Sequence, residues 1–382
     1  MRIRPSHLLV LLVAGCQTAD REPIAPNYVE TPAEVRIVED ETVRCPIPGA
    51  TLRNDLVEPG EIHFKRLWKL TAGGQNAEAY WSFGGDRLVL QRRERDLGID
   101  CDRIYTTDPV TGAVNQVSNG RGVTTCSYFL PGDQQIVFAS TQAFKDGCPP
   151  PVDMSKGYTW MVHPEYDVYV QDLASGSERA LTTEWGYDAE ATVSPQGDRM
   201  VFTSTRTGDL ELWTCDLDGT NLFQVTDELG YDGGGFFSHD GTKIVFRTTR
   251  FLEDKLETEH RRYKDLLSEW KVRPHSMDIM VINADGTGRK RVTDLGQASF
   301  APYFFPSDDR ILFSTNHHDK EEKRNFDLFA VDEDGGPLER ITFYSGFDSF
   351  PMFSPDGRFL AFASNRGNGK PGETNVFVAE WQ

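Results

Sequence analysis

Between residues 187 and 227 the chain reads YDAEATVSPQGDRMVFTSTRTGDLELWTCDLDGTNLFQVTD, and its apolar positions fall into four short alternating runs. The runs are rich in β-branched and aromatic residues, and Gly, Asp, Pro and Ser punctuate them. That pattern predicts a four-stranded antiparallel meander with tight turns. One such sheet has two faces to cover and cannot cover both alone, so copies of it must stack.

Copies are present. The closing run recurs as ERALT at 178–182, LFQVT at 222–226, RKRVT at 289–293 and LERIT at 338–342. Inner strands are expected to start near Ala77, Thr124, Asp188, Asp232, Phe300 and Asp348, which makes six units. Where nothing is inserted the period is that of a propeller blade: Gly197 and Gly241 stand 44 residues apart. The stretch FKRLWKLT at 64–71 looks like a closing strand but precedes every first strand, whereas the last unit stops after 375–380 without one. The economical account is a closed circle whose last blade borrows its outer strand from the front of the chain, leaving no exposed edge. The expected fold is therefore all-β, a six-bladed β-propeller of four-stranded antiparallel blades.

Two stretches break the period. Residues 251–274 do not alternate; Leu252, Leu256, His260, Tyr263, Leu266, Leu267 and Trp270 recur at helical spacing. This predicts one amphipathic helix inserted between the second and third strands of blade four, either folded onto the propeller or lying as a lid over its channel. Residues 142–165, with Cys148, three consecutive prolines and Trp160, interrupt blade two at the same point. In a blade the loops alternate between two faces, so both insertions fall on one face, together with the inter-blade loops. Ligand sites collect on loops that a rigid scaffold carries.

Charge excludes some partners. The chain has 40 basic against 59 acidic residues, a formal −19, and loses two more cations with Arg2 and Arg4 if the leader is removed. Such a surface repels phosphate backbones, so nucleic acid is not an expected partner. The start looks like a targeting segment: two arginines, then an apolar run at 8–14 too short to span a bilayer. It ends in VAGC, which resembles the lipobox of bacterial lipoproteins. That resemblance implies a signal peptide over 1–15, acylation of Cys16, and a lipid-anchored envelope protein, with Gln17 pointing to the outer membrane on its periplasmic side. Residues 16–60 are rich in Pro and Glu and read as a tether, or else as an arm packed on the propeller that occupies 61–382. Cys45, Cys101, Cys126 and Cys148 form an even set able to make disulfides in an exported protein, with connectivity open, and Cys215 reads as a buried free thiol.

The runs SPQGDRMVFTSTRTGDLELWTCDLDGTNLFQVT and SPDGRFLAFASNRGNGKPGETNVFVAEW resemble the PD40 (WD40-like) repeats of TolB-type propellers, over 61–382. The resemblance implies fold more than function, because such blades serve scaffolds, peptidase gating domains and lyases alike.

Candidate chemistry gathers on the insertion-bearing face. Asp188, Asp232 and Asp348 enter inner strands and are expected to ring the channel mouth, or to cap neighbouring backbone. Arg206, Arg250, His317 and Arg366 follow the second strands; they could orient a carboxylate ligand or pair with those aspartates. His163, His275, His317 and His318 could serve a metal or acid/base chemistry, a thought that the metal-binding propellers of oligogalacturonate lyases encourage. Yet no CxxC, HExxH, GxSxG or Walker A element occurs, and the DxDG runs at 216–219 and 332–335 read as hairpin turns rather than calcium loops. The expected function is a non-catalytic binding scaffold at the envelope, for a protein, peptide or envelope polymer, with no cofactor and no metal. The rival is a metal-assisted hydrolase or polysaccharide lyase.

Overall fold

The computed structural model describes residues 43–382 except 154 and 156. Six antiparallel sheets form the blades. Their inner strands are Gln75–Trp81, Thr124–Phe129, Asp188–Val193, Gly233–Phe237, Ser299–Phe304 and Asp348–Phe353. Each inner strand touches the next, and the sixth touches the first, so the ring is closed. The borrowed strand is where the repeats placed it: Phe64–Lys69 runs antiparallel to Asn375–Trp381, pairing Leu67 with Ala379 and Lys69 with Phe377.

The terminal threonine of the closing run has a repeated task. In blades two to five the hydroxyls of Thr182, Thr226, Thr293 and Thr342 accept the N–H of Val168, Leu212, Ile279 and Leu328, each at 2.9 Å. Thr71 does the same for Val376 of blade six at 2.9 Å. The third and fourth strands of every such blade are thus pinned at one end by a hydrogen bond that would otherwise leave a buried N–H unpaired. Between blades, the middle of each second strand supplies a fully buried side chain: Leu90, Phe138, Phe202, Phe246, Phe313 and Phe362.

Part of the stretch expected as a tether is instead an arm on the propeller. Thr51–Leu52 adds a fifth strand outside Phe64–Lys69, Ile47 is fully buried, and Gly60 lies against Phe343 of blade five. Hydrophobic burial of Ile47 and the added ladder bonds offset the entropy of ordering this segment. The leader, Cys16 and the rest of the tether lie outside the described residues.

Both insertions occupy the expected loops. The second contains the helix α1 (Leu256–Ser268). They also meet each other, which periodicity could not show: Trp160–Met161 pairs antiparallel with Lys271–Val272. Tyr263 of α1 donates to Asp209 of blade three at 2.5 Å. Around these contacts Tyr166, Tyr187, Leu210, Tyr231, Tyr263 and Val272 form a second apolar cluster above the blades. Helix and propeller are therefore packed together, although Leu252 and Leu256 at the start of the stripe stay 40% and 45% exposed. Cys101 and Cys148 form a disulfide that ties the first insertion to blade one, while Cys45, Cys126 and Cys215 are free thiols. The even set of four yields one bond: Cys126 lies in the inner strand of blade two and Cys45 in the arm. Among the described residues no helix is long and apolar enough to cross a membrane.

Candidate functional site

All six inner strands carry the same irregularity. The ladder slips at 77–80, 125–128, 189–192, 233–236, 300–303 and 349–352. In each slip one residue adopts positive φ: Glu78, Cys126, Glu190, Gly234, Ala301 and Phe350, all between 50° and 61°. Positive φ costs any residue with a Cβ about 1 kcal/mol or more, and only Gly234 escapes that cost. A bulge re-aims side chains, and here it turns these six toward the axis.

They line a cavity of about 1020 Å³ on the insertion-bearing face. Its floor is aromatic and closes the channel: Tyr80 of blade one meets Phe236 of blade four at 5.4 Å between ring centroids, and Tyr303 packs on Phe236 at 5.3 Å. The site is a blind funnel. One wall is a run of touching rings, with Phe300 against Phe326 at 5.4 Å and against Phe350 at 5.9 Å, and Phe326 against Phe347 at 5.9 Å. The insertions build the upper wall through Tyr158, Trp160, Arg262 and Leu266.

The opposite wall is polar but nearly neutralised. Glu190 accepts from Thr203 at 2.7 Å, from Tyr231 at 2.8 Å and from the Gly234 N–H at 2.9 Å, and it is ion-paired with Arg247. Burial alone would raise its pKa; the Arg247 charge and these bonds outweigh burial and hold it below the ordinary value. Arg247 lies over Trp160 at 5.3 Å and Tyr231 at 4.6 Å, so the aromatic slot that could hold a cation already contains one. Glu78 has no such partner. Burial pushes it up to about 7, with Glu190 adding to the rise and Cys126 and Arg247 opposing it. It carries a proton for much of the time near neutrality and can donate a hydrogen bond.

Of the ten Asp, Arg and His residues named from the sequence as candidate ligand contacts, only Arg250 and His275 border this cavity. The aspartates do not ring its mouth; they are buried and spent on ion pairs. Asp188 pairs with Arg206 at 3.2 Å, Asp348 with Arg366 at 2.7 Å, and Asp232 with Arg289 at 2.5 Å. In blades three and six the arginine is aimed by the hydroxyl just before it, Ser204 or Ser364, at 2.8 and 3.0 Å. In blade four the helical insertion begins directly after Arg250, which pairs instead with Asp294, and Arg289, just before the outer strand Lys290–Arg291, takes its place. Arg366 is fully buried and also holds Glu61 of the arm, at 2.8 Å. A charge sealed between two carboxylates is a clasp and has no hydrogen-bonding capacity left for a ligand.

The histidines are dispersed. His317 faces the Leu295 carbonyl at 3.4 Å, His318 lies 2.9 Å from Asp327, and His163 packs on Tyr166 at 5.9 Å. Burial holds His163, His275 and His317 below the ordinary imidazole pKa, which favours their neutral form. Among the described residues no three His, Cys, Asp or Glu side chains are grouped as metal ligands. The DxDG runs are turns: Asp218 accepts the Thr220 N–H at 2.9 Å and its hydroxyl at 2.6 Å.

The lining residues were missed because the repeat draws the eye to invariant positions. The cavity instead sees the residue inside each slip, which is Glu in blades one and three and a different residue in each of the other four. That variation inside a fixed frame was the available signal.

No protein-family model matches the chain. It is 26% identical over 171 residues to a protein TolB homolog of Chlorobium chlorochromatii, covering 44% of this chain and 32% of that one. It is 35% identical over 202 residues to an uncharacterized protein of Agrobacterium fabrum, covering 47% of this chain and 67% of the relative. The match thus spans about a third of the TolB homolog's length. Among solved structures, a TolB candidate from Agrobacterium tumefaciens superposes with a TM-score of 0.52 at 17% identity, covering 81% of this chain and 91% of that one. An oligogalacturonate lyase in complex with manganese gives a TM-score of 0.46 at 14% identity, covering 83% and 93%.

Proposed function

Because this chain belongs to the TolB-like six-bladed β-propellers, we propose that it is a non-catalytic binding scaffold of the cell envelope that engages a protein or peptide partner at the insertion-bearing face. The observation that carries this reading is the blind cavity. Every blade contributes one re-aimed residue to it, and both insertions are spent on its upper wall. A site that recruits all six repeats and both departures from the repeat is where selection on binding acts. An exported location is supported by the leader and by the Cys101–Cys148 disulfide, which suits an oxidising compartment. The proposed anchor is a lipid on Cys16, in the outer membrane and facing the periplasm.

Site-specific photo-crosslinking in intact cells tests the reading. A photoreactive residue at Tyr158 or Leu252, both at the cavity and 66% and 40% exposed, should capture a discrete partner. One at Val110, 81% exposed in a turn of the other face, should not. Equal capture from both faces, or from neither, would sink the proposal. Cys16→Ala should move the protein from the membrane to the soluble fraction.

A further inference from the structure

The charges around the cavity run against those of the molecule. The chain as a whole is acidic, yet the lining holds six Arg and Lys residues against four Glu. Several of these are committed: Arg247 to Glu190, Arg250 to Asp294, and Glu259 to the Leu252 N–H at 2.6 Å. Arg262 on α1 and Lys323 and Arg324 in the loop before the third strand of blade five are exposed, with no ion pair among the described residues. Among the lining residues the single exposed carboxylate is Glu322. Two separate segments thus deliver uncommitted cations to one rim, above a funnel whose floor and one wall are aromatic rings.

Resting on the reading of this cavity as the binding site, we infer that its ligand is an organic carboxylate with a flat aromatic body. The body lies between the Phe300–Phe326–Phe347–Phe350 wall and the Tyr80–Phe236 floor, and the carboxylate stays at the rim with Arg262, Lys323 and Arg324. Aromatic bodies gain from tilted ring contacts of the kind that the wall already makes within itself. A guanidinium offers a carboxylate two parallel donors. A cationic ligand is disfavoured on two counts: Arg247 fills the slot between Trp160 and Tyr231, and Glu190, which could have attracted a cation, is already neutralised by it. Burial, which raises Glu78 to about 7, lessens the charge that the deep wall presents to an apolar body.

The same chemistry exists in a free aromatic acid and in an aromatic residue at the C-terminus of a polypeptide. The test is titration of the intact protein, followed by fluorescence of Trp160 in the cavity wall, with 2-naphthoate, its amide and naphthylmethylammonium. Naphthoate should bind at least about tenfold more tightly than either analogue, the scale of one charge-assisted hydrogen bond. The double variant Arg262→Glu, Arg324→Glu should lose about the same factor for naphthoate and nothing for the amide. Both sites are exposed, and unchanged thermal unfolding verifies that the variant folds. N-acetyl-Gly-Gly-Trp with a free or amidated end separates the sources: a tighter free-ended peptide than naphthoate identifies a polypeptide tail, and a weaker one a small acid. Preference for the ammonium, or indifference of naphthoate to the charge reversal, overturns the inference. If crosslinking at Tyr158 persists in that case, only the ligand chemistry has failed; if it is lost as well, the cavity itself is not the site.

Discussion

The two faces of the ring are built on opposite terms. On the turn face the same turn is built again from blade to blade. Gly197, Gly241 and Gly357 adopt φ of 69°, 74° and 70° and donate back to Ser194, Ser238 and Ser354. Each of those serine hydroxyls binds a neighbouring aspartate, at 2.7, 2.6 and 2.6 Å. Adjacent turns are then tied by a single carboxylate, as Asp308 takes the N–H groups of His239 and Asp240 at 2.7 and 2.9 Å. On the insertion face contacts that occur once join distant segments. Trp160–Met161 finds Lys271–Val272, Tyr263 finds Asp209, and Cys148 finds Cys101. The contrast teaches that repetition marks the frame, and that departures from it mark the place where the frame is put to use.

The sharpest way to break that contrast is to remove a repeated residue that lies on the insertion face. Arg366 sits there but belongs to the frame, clamped between Asp348 and Glu61. Arg366→Met leaves two buried carboxylates unpaired and should cost about 3–5 kcal/mol in urea unfolding, with ligand affinity unchanged in the fraction that remains folded. A fully stable variant that has lost binding would return Arg366 to the site and reverse the lesson.

Cutting the disulfide comes next in size. The bond spans a sequence separation of 47 residues, and Cys148→Ser should destabilise by about 2–4 kcal/mol. The loss should be uneven. Hydrogen exchange should quicken through 142–165 while the turns at 194–198 keep their protection; uniform acceleration would show that the two faces are not separable units. A smaller perturbation is Tyr263→Phe, which deprives Asp209 of one partner and should cost about 1 kcal/mol, measured as a lower urea midpoint. It should also loosen α1 and with it the cavity wall.

Legibility followed the same division. The blade count, the closing strand and both insertion points came from the repeat, since the threonine that pins strand ends recurs in five blades and the phenylalanine between blades in five of six. The site was misplaced by two residues per strand. Asp188, Asp232 and Asp348 stood out because they recur, and they recur because they pair with arginines in the frame. Glu78, Cys126, Glu190, Gly234, Ala301 and Phe350 share only a backbone conformation, which no alternation of apolar and polar residues encodes. The pairing of the insertions was equally hidden, as Trp160 and Val272 are far apart in the chain and neither lies in a run long enough to read as a strand.

The smallest expected effect probes the cavity from within, through Glu78. Its pKa rises from the ordinary 4.5 to about 7 in the folded protein, chiefly by burial. Between those values the folded state binds more protons than the unfolded chain, so this residue makes stability fall as pH rises from about 4.5 to about 7, and level off above. Glu211, raised to about 8 by burial in blade three, contributes a slope of the same sign that extends further. Glu78→Gln removes the first contribution and keeps the second. Urea midpoints at pH 5, 6, 7 and 8 should therefore fall less steeply in the variant up to pH 7 and run parallel to the wild type beyond it. The groups that act on Glu78 are Cys126, Glu190, Arg247 and Asp102; burial raises Asp102 as well, and its slope is common to both proteins. If the two profiles coincide at every pH, the Glu78 carboxyl is solvated, the deep wall is charged, and the funnel is no longer an apolar seat beneath a cationic rim.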